Sequence, residues 1–328
     1  MQNTSAHVRP EPKQKLVPHT ASFHPRNRHQ GRYDFAALQA AHPALQAFVR
    51  ANAYADESID FADPQAVRAL NAALLAQHYG VKDWNIPPQY LCPPIPSRAD
   101  YMHHLADLLA ADNKGNIPRG SAVRLLDIGT GANCIYPLVA QREYGWQVVG
   151  SDIDAGALAS AQAILDANGI PAAQIELRLQ SERNAIFKGV VKSGERFHLT
   201  LCNPPFHASM AEAQAGTRRK VSNLGKAAPP KSKSKGAGLG TVALNFGGQP
   251  NELWCPGGEE GFILRMIEES AHIPQQCMWF TSLVSKAATL PALSRALQCV
   301  GVAQSQLIKM KHGQKESRVL AWSFLNAQ

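Results

Sequence analysis

The segment that most constrains the fold is an apolar run over residues 197–202, followed at once by Asn203-Pro204-Pro205-Phe206. The run predicts a buried β-strand, and the two prolines end it because neither can donate a backbone hydrogen bond. A stiff turn at the carboxyl end of a buried strand is where open α/β sheets place their ligands. An amide, a prolyl carbonyl and an aromatic ring presented together suit a planar group that bears an NH2. Taken alone, the turn is also compatible with a proline-stopped loop that buries its phenylalanine.

A second buried strand, over residues 123–128, runs into the glycine loop Gly129-Thr130-Gly131-Ala132-Asn133. Glycine at these two positions permits positive φ angles and a close approach of ligand to backbone. Residues 135–144 then predict a helix whose amino end faces the loop. A dinucleotide-binding fingerprint needs a third glycine at position 134, where this chain has cysteine. The loop alone therefore does not distinguish a cofactor site from an ordinary strand-to-helix turn.

The next predicted strand, over residues 147–152, ends in Asp152. A carboxylate at this strand tip can accept hydrogen bonds from both hydroxyls of a ribose. Asp154 opens an alanine-rich run and is assigned to capping the helix over 155–168. Asp127 stands beside the glycines, where it can orient the loop or reach a cofactor amine through water. Of the three acids, Asp152 is the predicted ribose ligand.

The order of these motifs resembles the S-adenosylmethionine-dependent methyltransferases of class I, which have a Rossmann-like fold. The resemblance implies an α/β fold with a mostly parallel seven-stranded sheet, helices on both faces and a small N-terminal helical region. It implies S-adenosyl-L-methionine as cofactor, with the glycine loop around its amino-acid end and the acid of the second strand on its ribose. The Asn-Pro-Pro-aromatic motif would hold the amine that is methylated.

Longer motifs are similar to one subfamily, which methylates adenine N6 in bacterial 23S ribosomal RNA and in eukaryotic spliceosomal snRNA. These motifs are residues 24–28, 59–64, 96–98, 127–137, 203–206 and 320–324. The likeness implies that the cofactor or target site is lined by Arg98, Gly129, Asn133, Asp152 and Asn203. With Asp127 and Gly131 from the glycine loop, the predicted cofactor-binding residues are Arg98, Asp127, Gly129, Gly131, Asn133 and Asp152. In this site, Arg98 pairs with the carboxylate of the cofactor. The eukaryotic members carry serine at the position of Asn133, which leaves the role of that side chain open.

The predicted catalytic residues are Asn203, Pro204, Pro205 and Phe206. An adenine N6 is a poor nucleophile because its lone pair is delocalised into the ring. If Asn203 and the Pro204 carbonyl each accept one N6–H, the lone pair can point at a methyl donor, while Phe206 stacks on the flipped base. A glutamine amide is also a planar NH2 group, so a protein-glutamine methyltransferase is one alternative. A non-catalytic RNA-binding ribosome-assembly factor is another.

The distribution of charge favours a nucleic-acid substrate. The formal net charge is +8, and two segments concentrate the basic residues: residues 1–32 carry six Lys or Arg against one acid, and residues 217–235 carry seven against none. Such segments suit a phosphate backbone, although a merely solvated surface would have the same composition. The predicted RNA contacts are Arg26, Arg28, Arg218, Arg219 and Lys220. The expected partner is 23S rRNA or a large-subunit assembly precursor.

The predicted organisation has three parts. A basic, largely flexible arm covers 1–32, a helical region covers 33–112, and the Rossmann-like domain covers 113–328 with a basic flexible insert at about 211–256. The remaining predicted helices span 33–53, 63–79, 100–111 and 262–272, and the remaining strands span 276–284, 304–310 and 318–324, the last two antiparallel. Glu259 and Glu260 are expected to act as partners of a helix dipole.

The other compositional features point to no further chemistry. The six cysteines include no Cys-x-x-Cys pair and no histidine spacing suited to zinc, so they predict reduced thiols and no metal site. Cys134 and Cys202 are expected to be packing residues. No run of 18 apolar residues and no signal-like segment occurs in the sequence. The expectation is a cytoplasmic monomer without a membrane partner.

Overall fold

The computed structural model describes residues 23–52, 56–212, 248–312 and 315–326. The described helices are α1 (Phe35–Ala41), α2 (Pro64–Tyr79), α3 (Ile95–Ala111), α4 (Ile135–Tyr144), α5 (Ala155–Ala167), α6 (Pro250–Leu253), α7 (Gly258–Ser270) and α8 (Leu290–Cys299). The strands are β1 (Arg50–Ala51), β2 (Glu57–Ser58), β3 (Arg124–Ile128), β4 (Gln147–Asp152), β5 (Ile175–Leu179), β6 (Phe197–Cys202), β7 (Cys277–Val284), β8 (Gln304–His312) and β9 (Lys315–Ser323).

Seven of the described strands form one sheet in the order β5-β4-β3-β6-β7-β9-β8. Strands β3 to β7 are parallel, and β9 lies antiparallel between β7 and β8. The strand order reverses between β3 and β6, which opens a crevice at their carboxyl ends. The predicted mostly parallel sheet and its antiparallel final pair are confirmed.

Apolar side chains cover both faces of this sheet, as alternation along a buried strand requires. On β3, Leu125 joins the core beneath α2 to α5, whereas Leu126 joins the core beneath α7 and α8. The two faces are therefore each sealed by helices, as predicted. Within the described part of the chain, no helix combines the length and the apolar character that crossing a membrane requires.

The N-terminal helical region differs from the prediction at two helices, since α3 begins at Ile95 and not at residue 100, and the first helix ends early. The helix expected over 33–53 stops at Ala41, a 3₁₀ turn follows over Pro43–Ala47, and the chain then enters β1. Pro43 has no N–H to continue the α-helix, and it restricts the residue before it. The start of α2 agrees with the prediction, since the Asp63 carboxylate accepts the Gln65 N–H at 2.8 Å.

Residues 23–32 belong to the predicted flexible arm, but the structure packs them against α2, α3 and α4. The His24 N–H donates to the Asp100 carboxylate at 2.6 Å, and Asn27 donates to the same carboxylate at 3.0 Å. The His29 ring lies 3.0 Å from the Tyr79 hydroxyl, measured from Nε2. Flexibility is therefore the wrong description of this part of the arm, because buried polar contacts hold it in place. Residues 1–22, and most of the predicted insert, lie outside the described residues.

Candidate active site

The Asn-Pro-Pro-Phe turn lies at the carboxyl end of β6, beside the crevice where the strand order reverses. The Asn203 Oδ1 atom is buried, and among the described residues it has no hydrogen-bond partner. Buried polar atoms are normally paired, and an unsatisfied acceptor costs about 1–3 kcal/mol. This oxygen is therefore placed to receive a donor that a ligand brings. Pro204 is buried beside it, and Phe206 is half-buried.

The chain after this turn is joined to the chain that follows α6. His207 donates its N–H to the Leu253 carbonyl at 3.2 Å, and the Cys255 N–H donates to the His207 carbonyl at 3.1 Å. Trp254 lies opposite His207 in this short parallel bridge, and its buried indole Nε1 has no partner among the residues that the structure describes. Residues 253–255, at the end of the predicted insert, therefore lie paired with the chain directly beside Phe206.

The glycine loop is held against the end of β4 by its own backbone. The N–H groups of Gly129 and Thr130 both donate to the Ser151 carbonyl at 2.9 Å. Gly129 and Gly131 have φ angles of +76° and +67°, a region that L side chains rarely adopt. Cys134, which occupies the position of a third glycine, also has a positive φ, of +51°. The loop thus keeps the left-handed backbone of a nucleotide-binding turn without the third glycine.

Asp152 faces this loop from the tip of β4. One carboxylate oxygen accepts the Gly131 N–H and the other accepts the Asp154 N–H, each at 2.9 Å. Burial raises the pKa of Asp152, and the two backbone donors oppose that rise. The predicted cap is confirmed, because the Asp154 carboxylate accepts the Gly156 N–H at 2.8 Å at the start of α5. Asp152 keeps lone pairs for a ligand, since each oxygen receives one of these backbone bonds.

Asp127 is fully buried behind the glycine loop. Its Oδ2 accepts the Thr130 hydroxyl at 2.9 Å, whereas no partner for its Oδ1 is found in the described ranges. Burial raises the pKa of Asp127 to about 7; the hydrogen bond from Thr130 opposes the rise, and the Asp152 carboxylate adds to it. The bond from Thr130 fits the expected role of orienting the loop, and contact with a cofactor amine through water stays a prediction.

Arg98 and Asn133 border the same crevice from α3 and from the start of α4. The Arg98 guanidinium carbon lies 5.7 Å from the centre of the Tyr136 ring, and the part of the chain that the structure describes offers no partner to the buried Tyr136 hydroxyl. The Asn133 Oδ1 accepts the Ile135 N–H at 3.1 Å, and its carbonyl accepts the Trp84 indole N–H at 2.9 Å. Tyr136 was not predicted as a site residue, although it lies in the motif that carries Asn133.

Two apolar side chains beside Asp152 were likewise not predicted as site residues. Ile153, which directly follows β4, is 43% exposed, and Leu179, the last residue of the edge strand β5, is 51% exposed. Leu179 is paired in register with Asp152. Exposed apolar groups next to a carboxylate at a strand tip can form a platform for a planar ring. The sequence signal was an apolar residue directly after the strand-end acid, but its exposure could not be read from the pattern.

Glu252 is a further carboxylate that the sequence did not single out. It lies on α6, and its Oε2 accepts the Gln249 N–H at 2.7 Å and the Leu91 N–H at 3.1 Å. It thereby joins the end of the predicted insert to the connector before α3, which comprises residues 80–94. A contact between positions so distant in the chain leaves no local sequence signal.

The predicted RNA-binding residues divide into two groups. Arg26 pairs with Asp107 at 2.7 Å, and Arg28 pairs with Glu143 at 2.9 Å. Both guanidiniums therefore already have partners within the protein, which assigns them a structural role and leaves phosphate contact as a prediction. The other three predicted contacts lie outside the described residues: Arg218, Arg219 and Lys220.

The thiols beside the site are not placed for chemistry. Cys134 and Cys202 are buried, and burial raises the pKa of each thiol above its usual range. Both therefore remain protonated packing groups, as expected. In the ranges that the structure describes, no group of three or more His, Cys, Asp or Glu side chains could hold a metal ion.

Comparison with known proteins identifies the family. The profile of a family described as RNA methyltransferase matches residues 18–326. Ribosomal RNA large subunit methyltransferase F of Methylobacillus flagellatus is 58% identical over 320 residues, which cover 95% of this chain and 94% of that protein. The protein of the same name from Serratia proteamaculans is 52% identical over 318 residues, covering 97% and 92%.

Solved structures agree with these relatives. The hMettl16 catalytic domain in complex with MAT2A 3′UTR hairpin 1 has a TM-score of 0.75 at 28% identity, covering 93% of this chain and 96% of that one. The N-terminal domain of human METTL16 in complex with SAH has a TM-score of 0.70 at 25% identity, covering 93% and 100%. The crevice of this chain is thus that of a methyltransferase fold, and the chain belongs to the RNA methyltransferase family.

Proposed function

We propose that this chain methylates N6 of one adenine in the 23S RNA of the large ribosomal subunit, using S-adenosylmethionine. The observation that carries the proposal is the buried, unpaired Oδ1 of Asn203 at the switch point of the sheet. The names of the relatives that match most of the chain support the ribosomal RNA substrate. The substrate is naked rRNA or an assembly precursor, and the enzyme acts as a cytoplasmic monomer.

The target amine would be held by the Asn-Pro-Pro-Phe turn. Asn203 Oδ1 and the Pro204 carbonyl each accept one N6–H, so the nitrogen lone pair is directed away from the base plane. The hydrogen bonds to these two acceptors become stronger as positive charge develops on the nitrogen. They therefore stabilise the transition state more than the ground state. Phe206 stacks on the adenine once it has left its neighbours, and Pro205 keeps the turn stiff. Water can accept the N6 proton after transfer, because that proton becomes acidic once the nitrogen carries the methyl group.

The residues of the crevice fit the cofactor, which supplies an electrophilic methyl group on a sulfonium when bound. Asp152 has lone pairs left for the two ribose hydroxyls, and Ile153 and Leu179 offer an apolar platform for the adenine ring. The left-handed glycine loop lets the amino-acid end approach the backbone, and Arg98 pairs with its carboxylate. Positioning of the two reactants then contributes most of the rate.

The proposal is tested by transfer of labelled methyl groups from S-adenosylmethionine to deproteinised 23S rRNA, to assembly precursors, to intact large subunits and to release factors. The rRNA comes from cells that lack this protein. The expected product is N6-methyladenosine at a single position, in RNA alone. Label in protein alone would instead indicate a glutamine methyltransferase, and the absence of label in any substrate would indicate a non-catalytic assembly factor. Asn203→Ala, which removes one acceptor for the target amine, is the variant that should lose transfer. Its matched control is Asn113→Ala, since Asn113 is an exposed asparagine outside the crevice.

A further inference from the structure

The last residues of the predicted insert, 248–256, are fixed to the N-terminal half of the chain by Glu252. Its Oε2 accepts the Gln249 and Leu91 N–H groups at 2.7 and 3.1 Å, and the Gly248 N–H donates to the Gln89 carbonyl at 2.9 Å. Two separate contacts therefore hold residues 248–252 on the connector before α3. Both hydrogen bonds of Glu252 end at Oε2, and neither of them involves Oε1.

That second oxygen faces the glycine loop. A methyl group placed on Gly131 would lie 3.6 Å from Glu252 Oε1 and 3.3 Å from Asn133 Nδ2. Among the described residues, no hydrogen bond is seen to either of these two atoms. An acceptor and a donor thus stand together over the side of the loop that glycine leaves open.

This arrangement matches the charge pattern of an α-amino acid, which carries an ammonium donor and a carboxylate acceptor on one carbon. It also answers an electrostatic difficulty. Burial raises the pKa of Glu252, and the nearby carboxylates of Asp152 and Asp154 raise it further. Negative charge is therefore concentrated at this end of the crevice, and an ammonium group would relieve it.

We propose that Glu252 is a further cofactor-binding residue, whose Oε1 accepts a hydrogen bond from the α-ammonium group of S-adenosylmethionine while Asn133 Nδ2 donates to its carboxylate. This inference rests on the proposed function, because it requires that cofactor in the crevice. It assigns a role to Asn133. It also means that residues 248–252, at the end of the predicted insert, border the place where the cofactor binds. Cofactor binding and placement of the insert are then coupled through one side chain.

The experiment is a calorimetric titration of the full chain with two ligands. One is S-adenosylhomocysteine, and the other is its analogue without the α-amino group. The variant is Glu252→Gln, which keeps an acceptor for the two backbone N–H groups but loses the charge. Glu260→Gln on α7 is the matched control, because that glutamate is not part of the crevice. Glu252→Gln is expected to weaken S-adenosylhomocysteine by about 10- to 100-fold, as loss of a charged hydrogen bond does.

The analogue without the amino group should bind wild type and Glu252→Gln equally, since it has nothing to donate to the carboxylate. Equal weakening of both ligands would mean that Glu252 only holds the segment, and unchanged binding of S-adenosylhomocysteine would exclude the contact; either result overturns the inference. Thermal unfolding without ligand checks each variant. Should Glu252→Gln not fold, Glu252→Asp, which withdraws the charge by one methylene, must likewise weaken the amino-bearing ligand more than the analogue. A wild-type chain that binds neither ligand would instead refute the proposed function.

Discussion

At the scale of single residues, the unpaired Oδ1 of Asn203 leads to a prediction about turnover. Asn203→Ala removes one of the two acceptors for the target amine and should lower kcat by about 100-fold or more. Asn203→Asp keeps acceptor oxygens and should retain more turnover than the alanine variant. Affinity for S-adenosylhomocysteine should change by less than about 3-fold in the alanine variant, because the lost contact belongs to the target base. Single-turnover rates and calorimetry measure the two effects, and wild-type turnover in Asn203→Ala would contradict the assignment.

Asp127 makes a prediction about pH. Burial raises the pKa of its carboxyl from 3.8 to about 7 in the folded chain. Between these two pH values the folded chain keeps a proton that the unfolded chain has lost, so this group's contribution to stability falls as pH rises and levels off above about pH 7. Asp127→Asn cannot ionise, and without cofactor it should gain stability relative to wild type across this window, on the order of 1–4 kcal/mol. Urea unfolding at several pH values measures the difference, with Asp166→Asn as an exposed control; parallel pH profiles for Asp127→Asn and wild type would contradict the prediction.

At the scale of elements, the first turn of α7 corrects an expectation. Glu259 and Glu260 were both expected to interact with the helix dipole, but Glu259 is buried and accepts the N–H groups of Ser285 and Lys286 at 2.6 and 3.1 Å. It therefore joins α7 to the loop after β7. Glu259→Ala would leave these two donors unpaired and should lower the free energy of unfolding by about 2–4 kcal/mol. Glu260→Ala should change it by less than about 0.5 kcal/mol. Equal losses in the two variants, measured by urea unfolding, would favour the dipole interpretation.

The elements nearest the site could be predicted from the sequence almost residue by residue. Strands β4 and β6 and helix α4 have the predicted bounds. Each is a short apolar or amphipathic stretch that ends at a strong breaker: an acid before a cap, two prolines, or a glycine. At these positions the apolar pattern and the breaker residue indicate the same boundary, and tertiary contacts do not shift it. The motifs of the candidate site lie at these ends, and for this reason their placement in one crevice could be expected.

The other elements depended on contacts that a linear pattern does not contain. Strand β5 lies at the edge of the sheet, and its half-buried positions give no clear alternation. The helix predicted over 33–53 ends early because Pro43 interrupts it, a signal that the apolar spacing concealed. Glu252 and Leu91 meet only in the folded chain. The motifs of the sequence therefore located the site. They did not indicate that residues 248–252 border it.

At the scale of the whole molecule, we expect two groups of basic residues: those that stabilise the fold through carboxylate partners, and those that bind RNA. Arg26 donates to the Asp107 carboxylate at 2.7 Å and to the His103 carbonyl at 2.9 Å, and it thereby holds the N-terminal segment on α3. Arg26→Ala should lower the free energy of unfolding by about 1 kcal/mol, a modest value because the pair is partly exposed. It should leave the salt dependence of RNA binding unchanged.

The basic residues at 218–220 are expected to act in the opposite way. Each lysine or arginine that contacts a phosphate releases a counterion, so the logarithm of the RNA affinity falls linearly with the logarithm of the salt concentration. Replacing Arg218, Arg219 and Lys220 together with glutamine should weaken RNA binding and reduce that slope by about 2, the value for three contacts on single-stranded RNA. The melting temperature and the affinity for S-adenosylhomocysteine should stay at their wild-type values. Filter binding at several salt concentrations measures the slope, and Arg26→Ala is the control with one basic residue fewer. If Arg26→Ala reduced the slope and the triple variant did not, RNA would be bound by the N-terminal segment, and the insert would lose its assigned part in substrate binding.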